Sequence, residues 1–146
     1  MIAAIQVMGS YKFYRLPIKT WAYRIDAGRE NENGWRQIFS EHPEFFRLNT
    51  GDGGASLVWR RTQPKLYEVD AQRVLTQAEF RALSVDRVKR VSRKPLSPKD
   101  IQVLIDTAIR LHSRALAAQM DRRWWIPVLA SFAGAGLGSL ITLIHR

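Results

Sequence analysis

The chain has 146 residues, no cysteine, and a formal net charge of +10 from 23 Lys and Arg against 13 Asp and Glu. That length holds one domain of about 100 residues and an additional segment, and the lack of cysteine excludes disulfides, thiolate-ligated zinc and a cysteine nucleophile. Arginine outnumbers lysine 17 to 6, so the chain is attracted to anionic lipid headgroups, nucleic acid or an acidic protein face, and charge alone does not choose among them.

Met1 to Met8 form a short apolar stretch. No basic segment precedes it, and Gly9, Ser10, Tyr11 and Lys12 follow at once. An edge strand or an unstructured start is expected here rather than a secretory signal, which needs a longer apolar core and a positive start. Pro17 to about Ala27 is predicted as a helix, with Pro17 at the first helical position, Gly28 just past the end, and Ile18, Trp21, Ala22 and Ile25 on one stripe. A second helix is predicted from an Asn33 cap through Ser40, with Trp35, Ile38 and Phe39 sharing a face before Pro43 interrupts.

A hairpin signal follows. Arg47 to Asn49 reads as extended, the segment from Thr50 to Gly54 as a glycine-rich turn, and Ser56 to Arg61 as a strand, with Leu66, Tyr67 and Val69 extending the sheet. The turn lacks the Gly-Lys-Ser/Thr ending of a phosphate loop and lies between extended pieces, so it reads as a loop tip. Short helices followed by a hairpin give the order of a winged-helix domain, the hairpin being the wing.

Thr76, Gln77, Ala78 and Glu79 match a capping box opening a helix to about Leu83. Residues 84–97 then form a basic linker containing Arg87, Lys89, Arg90, Arg93 and Lys94 against Asp86 alone. Ser97, Pro98 and Asp100 open the next helix. Ile101, Leu104, Ala108, Leu111, Ala115 and Ala118 repeat at heptad spacing along it. Two accounts fit that stripe: a self-associating stalk, or a helix packed on its own domain.

Residues 124–144 carry no charged side chain. As a helix the run rises about 31 Å, close to the roughly 30 Å hydrocarbon core of a bilayer. Arg122 and Arg123 precede it, and Trp124 and Trp125 fall where an interfacial aromatic pair is expected, so these four are candidate lipid-headgroup contacts. Ala130, Gly134 and Gly138 lie at four-residue spacing, a candidate face for pairing two transmembrane helices. Only His145 and Arg146 follow the run, whereas Arg110, Arg114, Arg122 and Arg123 precede it. The bulk of the chain is therefore expected in the cytoplasm, with the anchor at the C-terminus.

No catalytic constellation is legible. His42, His112 and His145 lie in unrelated segments, and no metal spacing, nucleophile elbow or Ser-x-x-Lys motif occurs. The chain is read as non-enzymatic, with no cofactor. Arg47, Arg60, Arg61 and Lys65 cluster around the expected wing and are candidate contacts to nucleic acid or an acidic partner.

The segments from Trp35 to Phe39, His42 to Arg47, Ser56 to Arg61 and Arg122 to Trp125 together resemble a family of small uncharacterised bacterial membrane proteins. The resemblance covers most of the chain. It implies a winged-helix-like cytoplasmic domain tethered to the inner membrane by a C-terminal span, and no functional residues come with it.

The reading is thus an α+β chain: a winged-helix-like domain over 1–83, a basic linker over 84–97, an amphipathic stalk over 98–123 and a transmembrane helix over 124–144. Trp21, Trp35, Phe39, Phe45, Phe46, Leu57 and Trp59 are the expected core. The expected function is a tail-anchored adaptor that docks an unidentified protein partner at the membrane, with a homodimer through stalk and span compatible. The alternative is a membrane-tethered winged-helix DNA-binding regulator.

Overall fold

The structure, a computed structural model, describes residues 1–28, 31–49, 51 and 53–121. Among the described residues the chain is α+β, with seven helices and two small antiparallel sheets. Residues 1–106 form one compact unit and residues 107–146 a second.

The first unit opens with a helix, α1 (Ile2–Ser10), where a strand or an unstructured start was expected. Ala4, Ile5 and Met8 recur at helical spacing and all three are wholly buried. The apolar content of Met1 to Met8 leaves no alternation to distinguish the two periods, and the packing decides. Strand β1 (Arg15–Pro17) leads into α2 (Ile18–Ile25), so Pro17 sits one residue before the helix as its cap, in extended geometry. Helix α3 (Glu32–Glu41) is capped by Asn31 rather than Asn33, its side chain accepting from the Gly34 amide at 3.0 Å. The Asn31 oxygen meets one of the orphan amides of the first turn.

Strands β2 (Phe46–Leu48) and β3 (Gly54–Leu57) follow, and β3 lies centrally in a sheet of order β1-β3-β2. Gly53 ends the β2–β3 turn in the left-handed region, at φ +62°, where glycine carries no Cβ penalty. In register, Ser56 stands between Arg15 and Arg47, and Ala55 between Leu16 and Leu48. The indole of Trp21 donates to the Ala55 carbonyl at 2.9 Å, tying α2 to the central strand. Trp35, Phe39, Phe45, Phe46 and Leu57 complete the core with Trp21. Each such side chain contributes roughly 2 kcal/mol by leaving water.

Two expectations fail at the end of β3. Residues Val58–Thr62 form a short helix, α4, instead of continuing the strand, and Trp59 is 37% exposed rather than in the core. A strand would place Val58 and Arg60 on one face. The helical turn instead carries Arg60 inward alone, and the demand of its buried partners overrides the β propensity of this segment.

Leu66, Tyr67 and Val69 do not extend the first sheet. Strand β4 (Tyr67–Glu68) pairs with β5 (Arg73–Val74) and β6 (Val91–Ser92) in a second sheet of order β5-β4-β6. Thr76 caps α5 (Gln77–Arg81) with the reciprocal Glu79 bonds of a capping box. The segment 84–97 is not a plain linker. It holds α6 (Val85–Val88) and β6, and Val91, Ser92 and Leu96 are buried. Strand pairing and three buried side chains outweigh the local basic repulsion there.

Helix α7 (Pro98–Asp121) opens as expected at Ser97, whose hydroxyl donates to Asp100 at 2.7 Å and accepts from its amide at 3.2 Å. In the first unit, Leu104 is buried and Ile101 half-buried. In the second unit, every residue from Ile109 to Met120 is exposed. Among the described residues no helix is long and apolar enough to cross a membrane. The run 124–144, with Arg122, Arg123, Trp124, Trp125, Ala130, Gly134 and Gly138, lies outside them.

Candidate functional site

The four basic residues expected around the wing separate into two kinds. Arg47, Arg61 and Lys65 are exposed, and none makes an ion pair among the described residues. Arg60 is wholly buried. Its guanidinium donates from Nη1 to the carbonyls of Met8 at 2.9 Å, Tyr11 at 2.6 Å and Phe13 at 3.3 Å, and from Nη2 to that of Arg93 at 2.5 Å. No phosphate or acidic side chain of a partner reaches such a group. Burial draws the Arg60 pKa down to about 10, so it stays charged at neutral pH.

Arg60 therefore acts as a clamp. Met8 lies in the last turn of α1, where carbonyls lack helical partners and the dipole favours a cation, and α1 supplies no basic residue there itself. The same guanidinium fixes the loop after α1 and the strand exit at Arg93. Arg93 in turn donates to the carbonyls of Arg61, at 2.7 Å, and Gln63, closing the end of α4.

The loop after α1 carries three aromatic rings, each topped by a guanidinium from elsewhere. The Cζ of Arg24 stands 4.2 Å from the Tyr11 ring, that of Arg90 5.3 Å from Phe13, and that of Arg93 5.0 Å from Tyr14. Each such pair is worth about 0.5–1 kcal/mol at an exposed site. The bonds already made assign these residues roles. Arg90 pairs with Asp70 at 2.5 Å and 3.0 Å, which holds the Asp70 carboxyl below its usual range. Arg93 donates to two carbonyls. Arg24 alone keeps its guanidinium donors uncommitted among the described residues.

Several carboxylates are turned inward or matched by a cation. Glu68 is buried on β4 between Arg73, at 3.7 Å, and Arg87. Glu79 bonds Arg73 at 2.6 Å. Glu32 pairs with Arg36 at 2.9 Å, Asp86 with Lys89 at 2.9 Å, and Asp26 accepts from the Trp35 indole at 2.7 Å. Glu41, Glu44 and Asp106 are exposed and bonded to Gln37, His42 and Gln102. Arg15 and Arg47 flank Ser56 across the first sheet, and partners in register point to one face. Arg61, Lys65 and Lys94 are exposed on the α4 side.

No reaction centre is assembled by these contacts. Among the described residues no group of three His, Cys, Asp or Glu is placed to hold a metal ion. A shallow pocket of about 200 Å³ opens between Lys19, Ala22, Asn31, Glu32 and Asn33. His42 faces Glu44 at 3.0 Å on the surface.

Sequence reasoning missed the clamp. An arginine between Trp59 and Arg61 in an apolar-to-basic segment carries no mark that separates it from its exposed neighbour. No family model, curated protein or solved structure matches this chain.

Proposed function

We propose that the chain is a membrane-tethered docking module. Its basic α+β domain engages an acidic face of another macromolecule, and the uncharged run 124–144 holds it at a bacterial inner membrane with the domain in the cytoplasm. The division of charge carries the docking part: carboxylates such as Glu68, Asp70 and Glu79 are bound to the domain's own arginines, while Arg47, Arg61 and Lys65 face solvent without an ion pair among the described residues. The tether rests on the sequence: 21 residues without charge, with Arg122, Arg123, Trp124 and Trp125 at one border as headgroup contacts. Ala130, Gly134 and Gly138 offer a face on which two spans pair. The test of the tether is alkaline carbonate extraction of membranes carrying the full chain. Retention in the pellet, with the domain open to protease from the cytoplasmic side, supports it. Release to the supernatant sinks it.

A second reading is the membrane-tethered winged-helix regulator. Its support is element order: α1, β1, α2, α3, β2, β3, three helices and then a hairpin, with Arg47 on the hairpin. The third helix had no counterpart in the sequence reading because α1 was not foreseen. Against sequence-specific DNA readout stands the exposed face of α3. Asn33, Arg36, Gln37, Ser40 and Glu41 lie on it, and its one arginine is held by Glu32 at 2.9 Å. A face without net positive charge is poorly suited to lie against phosphates. The two readings separate on duplex DNA titrated with detergent-solubilised full chain at about 50 and 200 mM salt. Tight binding that collapses with salt and is lost in Arg47→Ala/Arg61→Ala favours the regulator. No binding at low salt favours docking on a protein.

A further inference from the structure

We infer that the C-terminal part of α7, residues 109–120, is an interfacial helix that lies against an anionic lipid surface. Ile109, Leu116 and Met120 recur at i, i+7 and i+11 on one side of the helix, while Leu111 lies roughly 160° away, on the far side. All four face solvent: Ile109 and Leu116 are each 48% exposed, Leu111 41% and Met120 76%. From Ile109 to Met120, past the buried Ala108, every side chain is exposed, so this part of the helix lacks the tertiary packing that stabilises most helices.

Charge selects what covers it. Arg110 and Arg114 stand four residues apart, about 120° around the helix from the Ile109 stripe at 100° per residue. Between Asp106 and Asp121 there is no acid. An apolar stripe beside a purely cationic one is the pattern of a helix seated in the headgroup region, its arginines reaching anionic phosphates. A second copy of the chain fits less well. A parallel helix pair would bring Arg110 and Arg114 of both copies together with no carboxylate between residues 107 and 120 to meet them, and Ala115 and Ala118 offer little side chain to a seam. The uncharged run beginning at Trp124 places a bilayer, on the tether reading, four residues past Met120. The inference deepens that reading and rests on it for the location of the lipid, but its test is separate.

The chain has no cysteine, so single reporters are clean. Ile109→Cys, Leu116→Cys and Arg114→Cys are each labelled with an environment-sensitive fluorophore. The full chain is reconstituted in vesicles of phosphatidylcholine with phosphatidylserine, and of phosphatidylcholine alone. Lipid-borne quenchers are expected to reach the labels at 109 and 116 and aqueous iodide the label at 114, and the contrast fades without phosphatidylserine. Equal iodide access at all three positions overturns the inference, and so does disulfide pairing of unlabelled Leu116→Cys between chains. If carbonate releases the wild-type chain, the tether reading fails by itself. The interfacial helix is then read from flotation with phosphatidylserine vesicles: flotation that Leu116→Glu abolishes upholds it, and no flotation overturns it.

Discussion

Arg60 and Met8, 52 residues apart, are joined by a buried hydrogen bond of 2.9 Å from guanidinium to carbonyl. The bond supplies α1 with the C-terminal cation that its own sequence lacks, and it makes a charge with no carboxylate partner among its bonds part of the core. Removing the side chain strands the carbonyls of Met8, Tyr11 and Arg93 and opens a cavity beneath them. Arg60→Ala is expected to cost at least about 3 kcal/mol, measured by urea unfolding of the full chain in detergent. Arg60→Lys keeps the charge but loses the fork, and falls between Ala and wild type. A loss below about 0.5 kcal/mol for Arg60→Ala, the range of surface changes, would show that the clamp is dispensable.

Gly9 marks where α1 meets α7. A Cβ there would lie 2.9 Å from Cγ1 and 3.1 Å from Cδ1 of Ile101. Alanine favours a helix over glycine by about 1 kcal/mol, while overpacking costs about 1–3 kcal/mol. Gly9→Ala is therefore expected to destabilise by about 1 kcal/mol net. Combining it with Ile101→Ala should recover part of that loss, seen as a favourable coupling in a double-mutant cycle. Additivity of the two changes would mean that Ile101 yields without strain.

The fold was legible where one period dominates. Helix α2, helix α3, the capping box at Thr76 and the start of α7 follow from stripes and caps that lie within a few residues of each other. Trp21, Trp35, Phe39, Phe45, Phe46 and Leu57 are buried as expected. Elements set by distant partners were not legible. Helix α1 shows no alternation to separate helix from strand. Helix α4 exists because Arg60 finds carbonyls 33 to 52 residues away. Strand β6 depends on pairing with β4, which no local signal announces. The candidate surface shared this division: Arg47, Arg61 and Lys65 stand exposed, while Arg60, identical in local context to Arg61, is interior.

That division yields a contrast on the surface. Arg47→Ala, Arg61→Ala and Lys65→Ala are each expected to change stability by no more than about 0.5 kcal/mol. On the docking reading, the triple variant weakens binding to a polyanion probe such as heparin, and its elution from a heparin column moves to lower salt. Unchanged elution would mean that the binding charge lies elsewhere, with Arg24 and Lys94 next to be changed.

Glu79 gives a pH signature. The Thr76 amide and hydroxyl, at 2.7 and 2.9 Å, and Arg73, at 2.6 Å, hold its carboxyl down at about 2, from an ordinary 4.5. For an acid whose folded pKa is depressed, the unfolded chain binds the proton first as pH falls. The stabilisation is thus fully present above about 4.5 and is lost as pH descends through about 2. Glu79→Gln removes the charge at every pH. The melting temperature of the wild type should exceed that of the variant at neutral pH, and the gap should close across that window. Thr76→Ala should cost about 1 kcal/mol, the usual loss at a helix cap, and should shrink the same gap. A difference between wild type and Glu79→Gln that stays constant between pH 4.5 and 2 would show that ionisation of Glu79 is not linked to unfolding.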